Sequence, residues 1–141
     1  MNGLLTLNHL SQLVWNERTQ GCRRKIIFVN GYFDGLHVGH INLLKLAKRL
    51  TQLEFDNRLI VGLKSDTLAL IDRPIKINQY DRAIILLSIK YVDNVIIFNE
   101  PTPLKIIEAI KPDFLVNEIV GKDIVKKRGG EVVRIHYEKG K

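Results

Sequence analysis

The sequence predicts an α/β fold in which a doubly wound, parallel five-stranded sheet is covered by helices on both faces. Three observations lead to this prediction: short β-branched runs alternate with helical segments along the chain, the connections are tight, and a glycine-rich loop follows the first run. Strands that are joined through helices form right-handed crossovers and therefore a parallel sheet. The predicted fold is thus Rossmann-like, and a ligand is expected at the carboxyl ends of the strands, where the strand order reverses.

The first half of the chain predicts two helices and two strands in alternation. Apolar residues recur at helical spacing between Leu7 and Val14. Thr6 or Asn8 is expected to cap this helix, and Gly21 to end it. The next run is β-branched, as suits a strand that is buried on both faces. These elements are expected at residues 8–18 (helix), 25–30 (strand), 41–50 (helix) and 58–63 (strand).

The second half continues the alternation and supplies the remaining strands. Pro103 suits the first turn of a helix, and Gly129-Gly130 is expected to stop the last helix. Helices are expected at residues 80–90, 103–110 and 123–128, and strands at residues 94–98, 114–116 and 131–136. The whole chain, residues 1–141, is expected to be a single domain, with an N-terminal helix and lead-in over 1–24 and the core over 25–141.

Length and composition bound the class of protein. With 141 residues, of which 45% are hydrophobic and 26% charged, the chain has the composition of one soluble globular domain. No apolar run approaches the roughly 18 residues that cross a bilayer, and the first residues lack the pattern of a secretory signal. Cys22 is the only cysteine, so an intrachain disulfide and a cysteine-based zinc cage are excluded. We expect a cytoplasmic protein with no membrane partner.

The net charge of +7 is compatible with nucleic acid, an anionic membrane or a small polyanion such as a nucleotide. The basic residues fall into small dispersed groups, and no zinc-finger or RNA-recognition signature accompanies them. Each group taken alone is typical of a solvated surface. A nucleic-acid-binding domain is therefore the least favoured alternative, and we expect no nucleic-acid partner.

The loop from Gly31 to His40 has the sequence Gly-Tyr-Phe-Asp-Gly-Leu-His-Val-Gly-His. Its three glycines let the backbone turn sharply and approach a ligand closely. The helix that follows presents its free N–H groups and its positive dipole end to the same space, which suits phosphate. His37 and His40 are expected to point at the bound phosphates and to stabilise the charge that develops on them.

Two other residues of the loop have more than one interpretation. Asp34 either orients the backbone or a histidine, or caps the turn. Phe33 suits core packing better than a platform for a nucleobase. Two histidines without a third ligand at a suitable spacing match a zinc site poorly. We therefore predict no metal site built from side chains and expect Mg²⁺ to arrive with a triphosphate.

Segments beyond this loop complete a resemblance to a known family. They are residues 5–21, 28–34, 59–62 with Ser65-Asp66, Arg73-Pro74-Ile75, Asp81-Arg82, 92–95, Thr102-Pro103, Lys111-Pro112-Asp113 and 129–133. With them the chain resembles the His-x-Gly-His nucleotidyltransferases, the superfamily of the glycerol-phosphate and choline-phosphate cytidylyltransferases. Within it, the chain is most similar to the adenylyltransferase domain of the bacterial ADP-heptose synthases. The similarity covers nearly the whole chain.

The resemblance implies a reaction in which a substrate phosphate attacks the α-phosphorus of a nucleoside triphosphate and expels pyrophosphate. It implies that His37, His40 and Arg82 are catalytic. It also implies a set of nucleotide-binding residues, namely Gly31, Tyr32, Phe33, Asp34, Gly39, His40, Asp66 and Lys90. Mg²⁺, a phosphorylated acceptor and a homodimer are implied in the same way.

Three functions stay open within this resemblance. An active transferase would make an ADP- or CDP-linked product from a sugar phosphate or polyol phosphate, and the likeness to the heptose group suggests ATP. The second is a glycerol-phosphate-type cytidylyltransferase. The third is a catalytically weakened nucleotide-binding or regulatory module. It is suggested because residues 67–72 replace the family's lysine-bearing loop, the loop after strand 114–116 is shorter, and the family's terminal Ser-Thr-Thr segment has no counterpart. Lys64 or Lys76 is expected to substitute for the lysine.

Overall fold

The computed structural model of the protein describes residues 3–22, 24–51 and 57–136. Helices and strands alternate along them as the sequence predicts. In chain order the elements are α1 (Leu7–Thr19), β1 (Lys25–Gly31), α2 (Val38–Lys48), β2 (Asn57–Lys64), α3 (Asp66–Asp72), α4 (Gln79–Leu87), β3 (Asn94–Phe98), α5 (Leu104–Ile110), β4 (Phe114–Val116), α6 (Lys122–Lys127) and β5 (Glu131–Val133). None of the described helices is long and apolar enough to cross a membrane.

The described strands form one five-stranded sheet in the order β3-β2-β1-β4-β5, with every pair parallel. β1 is central: it pairs with β2 on one side and with β4 on the other. The strand order therefore reverses between β1 and β4, and the predicted doubly wound parallel sheet is confirmed. The loop after β1 leaves the sheet at this reversal, where such folds bind ligands.

Two apolar layers hold the helices on the sheet, one on each face. Along β1 the side chains alternate, so that Ile27 and Val29 belong to the layer beneath α2 and α4. Ile26 and Phe28 belong to the opposite layer, beneath α1, α5 and α6. All four side chains are at most 1% exposed. Burial of each contributes roughly 1.5–3 kcal/mol, which fixes β1 and the loop that follows it within the sheet.

Outside β3 and β4 the element bounds differ from the prediction by one to three residues; α2, for example, runs over Val38–Lys48 rather than over residues 41–50. α3 was not predicted; it forms because Ser65 caps it, accepting a hydrogen bond from the Leu68 N–H at 3.1 Å. α4 ends at Leu87 rather than at residue 90. β5 ends at Val133 rather than at residue 136, because its neighbour β4 stops at Val116 and offers no further ladder partner.

Candidate functional site

A cavity of about 660 Å³ opens at the carboxyl end of β1, where the strand order reverses. Its walls come from three parts of the chain. The loop after β1 contributes residues 31–35 with His37 and His40, the segment after α3 contributes Arg73 and Lys76, and the end of β4 contributes Asn117. The sequence thus predicted the position of the cavity and one of its walls.

His37 and His40 lie at the N-terminus of α2 and form a capping box. Nδ1 of His37 accepts a hydrogen bond from the Gly39 N–H at 3.0 Å. Nδ1 of His40 accepts one from the His37 N–H at 3.2 Å. The two ring centroids are 4.0 Å apart. The histidines therefore satisfy backbone donors of the first turn, and the same bonds fix both rings.

These hydrogen bonds also fix the tautomer of each ring. A neutral imidazole accepts at one nitrogen and donates from the other. Since Nδ1 accepts in both residues, Nε2 carries the proton of each neutral ring. Burial, and after it the repulsion from His37, lowers the pKa of His40 below its ordinary value. His40 is therefore a neutral N–H donor near pH 7.

Asp34 joins the loop to the segment that carries the basic residues. One carboxylate oxygen accepts a hydrogen bond from the Lys76 N–H, and the other accepts one from the Ile77 N–H, both at 2.9 Å. The sequence left open whether Asp34 orients the backbone, orients a histidine or caps the turn. The contact agrees with the first of these, and the backbone that Asp34 orients lies 42 and 43 residues further along the chain. Because both of its carboxylate oxygens accept backbone hydrogen bonds, Asp34 joins two segments of the cavity wall.

Tyr32 makes a second connection to the same segment. Its hydroxyl donates a hydrogen bond to Asp72, and this bond, with burial, raises the pKa of the phenol. The ammonium of Lys64 lies 4.4 Å from the ring centroid and the guanidinium carbon of Arg73 lies 5.1 Å from it. The ring of Tyr32 thus supports two cations at the edge of the cavity.

Phe33 packs inward, as the sequence favoured. Its side chain is 7% exposed and belongs to the apolar layer beneath α2 and α4. Its φ of 50° lies in the left-handed region, which non-glycine residues rarely adopt outside functional loops. A Cβ at Gly31 would lie 3.1 Å from the Phe33 ring, so the absence of a side chain there allows this packing. Phe33 lines the cavity from below.

The sequence profile of the cytidylyltransferase-like family matches residues 28–137, which include the second half of β1, the whole loop after it and the other four strands. The chain belongs to the cytidylyltransferase-like family. The predicted resemblance is confirmed by relatives named bifunctional protein HldE. The one from Geotalea uraniireducens is 38% identical over 96% of this chain and 28% of its own length, and the one from Magnetococcus marinus is 36% identical over 94% and 28%.

The chain thus spans about 28% of the length of these curated relatives. A solved structure agrees with the fold. The lipopolysaccharide core biosynthesis protein from Thermoplasma volcanium superposes with a TM-score of 0.66 at 26% identity, over 82% of this chain and 98% of that one. The α/β, Rossmann-like fold of this cytidylyltransferase-like chain is therefore shared by a protein of nearly the same extent.

Arg82 does not line the cavity; it contacts the backbone of the loop after β1 at Tyr32. Its side chain is buried, at 1% exposure. Nε donates to the Ile77 carbonyl at 2.8 Å, Nη1 donates to the carbonyls of Tyr32 and Lys64 at 2.7 and 2.9 Å, and Nη2 donates to Asp66 at 2.6 Å. The guanidinium thus holds three backbone carbonyls and Asp66 together and does not line the cavity in this structure, and a catalytic role for Arg82 stays a prediction.

Lys90 lies near the amino ends of the strands, whereas the cavity opens at the carboxyl end of β1. α4 runs against the strand direction, so the residues that follow it lie near the amino ends of the strands, where the Asp93 N–H donates to the Leu59 carbonyl at 3.0 Å. The Lys90 ammonium lies 5.2 Å from the ring centroid of Tyr91. Lys90 therefore does not line the cavity at the carboxyl end of β1, and its binding of nucleotide stays a prediction.

Two further predicted nucleotide-binding residues do not line the cavity. Asp66 forms an ion pair with Arg82 at 2.6 Å, at the N-terminus of α3. Gly39 is buried within the first turn of α2 and donates its N–H to His37. Both are placed to support the cavity wall, and neither contributes to its surface.

The sequence missed residues that line the cavity at its other side. The Asn30 amide donates to Glu118 at 2.9 Å, which ties the end of β1 to the end of β4. Asn117 adopts a left-handed φ of 54° and holds the Ile135 N–H and carbonyl with its side chain. The sequence did contain a signal for them: Asn30 precedes the last residue of β1 and Asn117 follows β4, and the carboxyl ends of neighbouring parallel strands lie side by side.

Proposed function

We propose that this chain is a nucleotidyltransferase that transfers a nucleoside monophosphate from ATP or CTP to a sugar phosphate or polyol phosphate and releases pyrophosphate. The observation that supports the proposal most directly is the capping box of α2. His37 and His40 each hold Nδ1 on a backbone N–H, so that Nε2 is the donor atom of each ring at the wall of the cavity. Such donors suit phosphate oxygens.

In the proposed reaction an oxygen of the acceptor's phosphate attacks the α-phosphorus of the triphosphate. A new P–O bond forms there, while the bond from the α-phosphorus to the oxygen that bridges it to the β-phosphorus breaks. The bridging oxygen keeps the electron pair and leaves as part of pyrophosphate. Negative charge grows on that oxygen during the step, so donors that are already in position lower the barrier.

The residues of the cavity divide this work between them. The first turn of α2 contributes its partial positive charge, and His37 and His40 contribute N–H donors to the phosphate oxygens. Arg73 and Lys76, which also line the cavity, contribute positive charges. Removal of one such preorganised donor typically lowers kcat by about 100- to 1000-fold, which is the scale of effect expected at either histidine.

Mg²⁺ would enter this site on the triphosphate. Asp34 is the carboxylate that lines the cavity, and both of its oxygens accept backbone hydrogen bonds. Within residues 3–22, 24–51 and 57–136 there is no group of three His, Cys, Asp or Glu side chains placed to hold a metal ion. We therefore propose that the triphosphate supplies the oxygen ligands and that the ion offsets part of its charge.

ATP is the favoured triphosphate, because the chain is similar to HldE proteins over nearly its whole length and its motifs resemble the adenylyltransferase domain of ADP-heptose synthases. CTP is the alternative, as in glycerol-phosphate-type cytidylyltransferases. The acceptor's pocket is built by loops, which vary more than the sheet does. We propose a phosphorylated sugar or polyol because basic residues line the cavity.

A catalytically weakened nucleotide-binding module is the second candidate. It is favoured by α3, which lies where the family carries a lysine-bearing loop and which contains no lysine. Active transfer is favoured over it because Lys76 lines the cavity and Arg73 stands beside it, so the structure supplies cations from the segment that follows α3. The sequence left Lys64 and Lys76 open as substitutes for the missing lysine, and we propose Lys76 because it lines the cavity.

The experiment that tests the proposal is a pyrophosphate-release assay with ATP or CTP, Mg²⁺ and a panel of sugar 1-phosphates and polyol phosphates. We expect release that requires one acceptor and that falls by at least about 100-fold in the variant His37→Asn. Binding of a triphosphate without release from any acceptor would favour the weakened module. Release that is unchanged in His37→Asn would contradict the assignment of the site.

A further inference from the structure

The segment from Asp72 to Ile77 is fastened to the loop after β1 at both of its ends. At the first end the Tyr32 hydroxyl donates to Asp72. At the other end the Asp34 carboxylate accepts from the N–H groups of Lys76 and Ile77. Most of the residues between these points are exposed to solvent, and none of them is in a strand or helix. The Arg73 N–H also donates to the Ala69 carbonyl at 3.0 Å, and Nε of Arg82 donates to the Ile77 carbonyl at 2.8 Å, so the contacts of Tyr32 and Asp34 are the restraints that join this segment to the loop after β1.

The fastened segment carries the two basic side chains of the cavity wall. Arg73 and Lys76 both line the cavity, as do His37 and His40 at the start of α2. Arg73 also rests against the ring of Tyr32, with its guanidinium carbon 5.1 Å from the centroid. The position of both cations relative to His37 and His40 consequently depends on side chains of the loop itself.

We propose that Tyr32 and Asp34 are positioning residues, which hold residues 72–77 so that Arg73 and Lys76 bind phosphate oxygens together with the N-terminus of α2. The inference rests on the proposed function, because it takes the ligand to be a polyphosphate. It changes the role that the sequence suggested for Tyr32 and Asp34. They act on phosphate through Arg73 and Lys76, by fixing the backbone of that segment and the Arg73 guanidinium, rather than by contact with the nucleotide.

The sign of the effect at Asp34 separates this proposal from a direct electrostatic role. A carboxylate beside a polyphosphate repels it, so removal of the charge alone would tighten phosphate binding. The variant Asp34→Asn also exchanges one acceptor oxygen for an NH₂ group, which faces a backbone N–H and cannot accept from it. If Asp34 acts by fastening, the loss of that bond weakens phosphate binding, although the site becomes more positive.

The test measures the Kd of inorganic tripolyphosphate, and of ATP and CTP with Mg²⁺, for the wild type and Asp34→Asn by calorimetry. We expect binding of tripolyphosphate to weaken about tenfold, the scale of one charge-assisted hydrogen bond. The matched control is Asp81→Asn, which makes the same change of charge at an exposed residue that does not line the cavity. Tighter or unchanged binding in Asp34→Asn overturns the proposal.

A double-mutant cycle tests whether Asp34 acts through the two cations. In the background Arg73→Ala with Lys76→Ala, Asp34→Asn should no longer weaken tripolyphosphate binding, because the groups that it positions are gone. Additive effects overturn the proposal. Tyr32→Phe, compared with Tyr80→Phe at an exposed position, should raise the Kd in the same direction. Thermal unfolding of each variant excludes loss of folded protein as the cause.

The failure of this proposal and that of the proposed function give different results. If the wild type binds tripolyphosphate and shows the expected cycle but releases no pyrophosphate with any acceptor, the positioning role holds and the transferase activity does not. If the wild type releases pyrophosphate and Asp34→Asn leaves both Kd and KM unchanged, the transferase stands and the positioning role is overturned. A wild type that binds no polyphosphate overturns the positioning role as well.

Discussion

The backbone N–H of His37 donates to Nδ1 of His40 at 3.2 Å, and the two ring centroids lie 4.0 Å apart. Each histidine therefore has a structural task at the first turn of α2 as well as its proposed task at the phosphates. A change at either position alters helix capping and the donor set together. The two contributions have to be separated by the choice of the replacing residue.

The variant His37→Asn separates helix capping from hydrogen-bond donation to the phosphates. Asn has a side-chain oxygen that can accept from the Gly39 N–H, so His37→Asn keeps the cap and removes the Nε2 donor. We expect His37→Ala and His37→Asn to lose pyrophosphate release alike, by at least about 100-fold. We also expect His37→Ala to be less stable than His37→Asn by about 1 kcal/mol in denaturant unfolding. If His37→Asn retained wild-type turnover, Nε2 would have no catalytic part.

The lowered pKa of His40 predicts how stability depends on pH. The unfolded state binds a proton at His40 below about pH 6.5, whereas the folded state resists it through burial and the repulsion from His37. The stabilising effect of neutral His40 is thus complete above about pH 6.5 and is lost as the pH falls toward the lowered folded-state pKa. Chemical unfolding at pH 8, 6.5 and 5 should show this loss.

The matched control for this pH dependence is His40→Gln. Glutamine at the third position of the helix can still accept from the His37 N–H in a capping box, but it does not titrate. We expect the wild type to lose more stability between pH 6.5 and pH 5 than this variant does. Equal losses in the two proteins would contradict the assigned shift of the His40 pKa.

Arg82 is buried and Lys90 lies outside the cavity, so we expect replacement of these two basic residues to have different effects on stability. Arg82→Met should lower the free energy of unfolding by about 3 kcal/mol or more, because it leaves buried carbonyls and Asp66 without their donor. Lys90→Ala should change the free energy of unfolding by less than about 0.5 kcal/mol. It should leave the KM for the triphosphate unchanged. A raised KM for the triphosphate in Lys90→Ala would support the prediction that Lys90 binds nucleotide.

The fold followed from the sequence because its strands are buried on both faces and so appear as short apolar runs. β3 and β4 were predicted with the bounds that the structure has, and the other strands to within a few residues. α3 was missed because it is short and depends on a local cap at Ser65. Such a cap competes with loop conformations that the same residues allow.

The site was predictable where its residues are contiguous and not where they come together from distant segments. The loop after β1 carries a dense pattern, so His37 and His40 could be placed from spacing alone. The bond between Asp34 and the backbone at Lys76 spans 42 residues and leaves no trace in the sequence. The burial of Arg82 was equally hidden, since an arginine within a helix is usually exposed.

Calorimetric titration of the 141-residue chain with ATP and with CTP, each with Mg²⁺, tests the central claim most directly. The account predicts saturable binding of one of the two triphosphates, with affinity that falls in His37→Asn. Such binding would identify the base and justify the search for the phosphorylated acceptor. If neither triphosphate binds to the folded protein, the cavity beside α2 is not a nucleotide site and the proposed transferase function is contradicted.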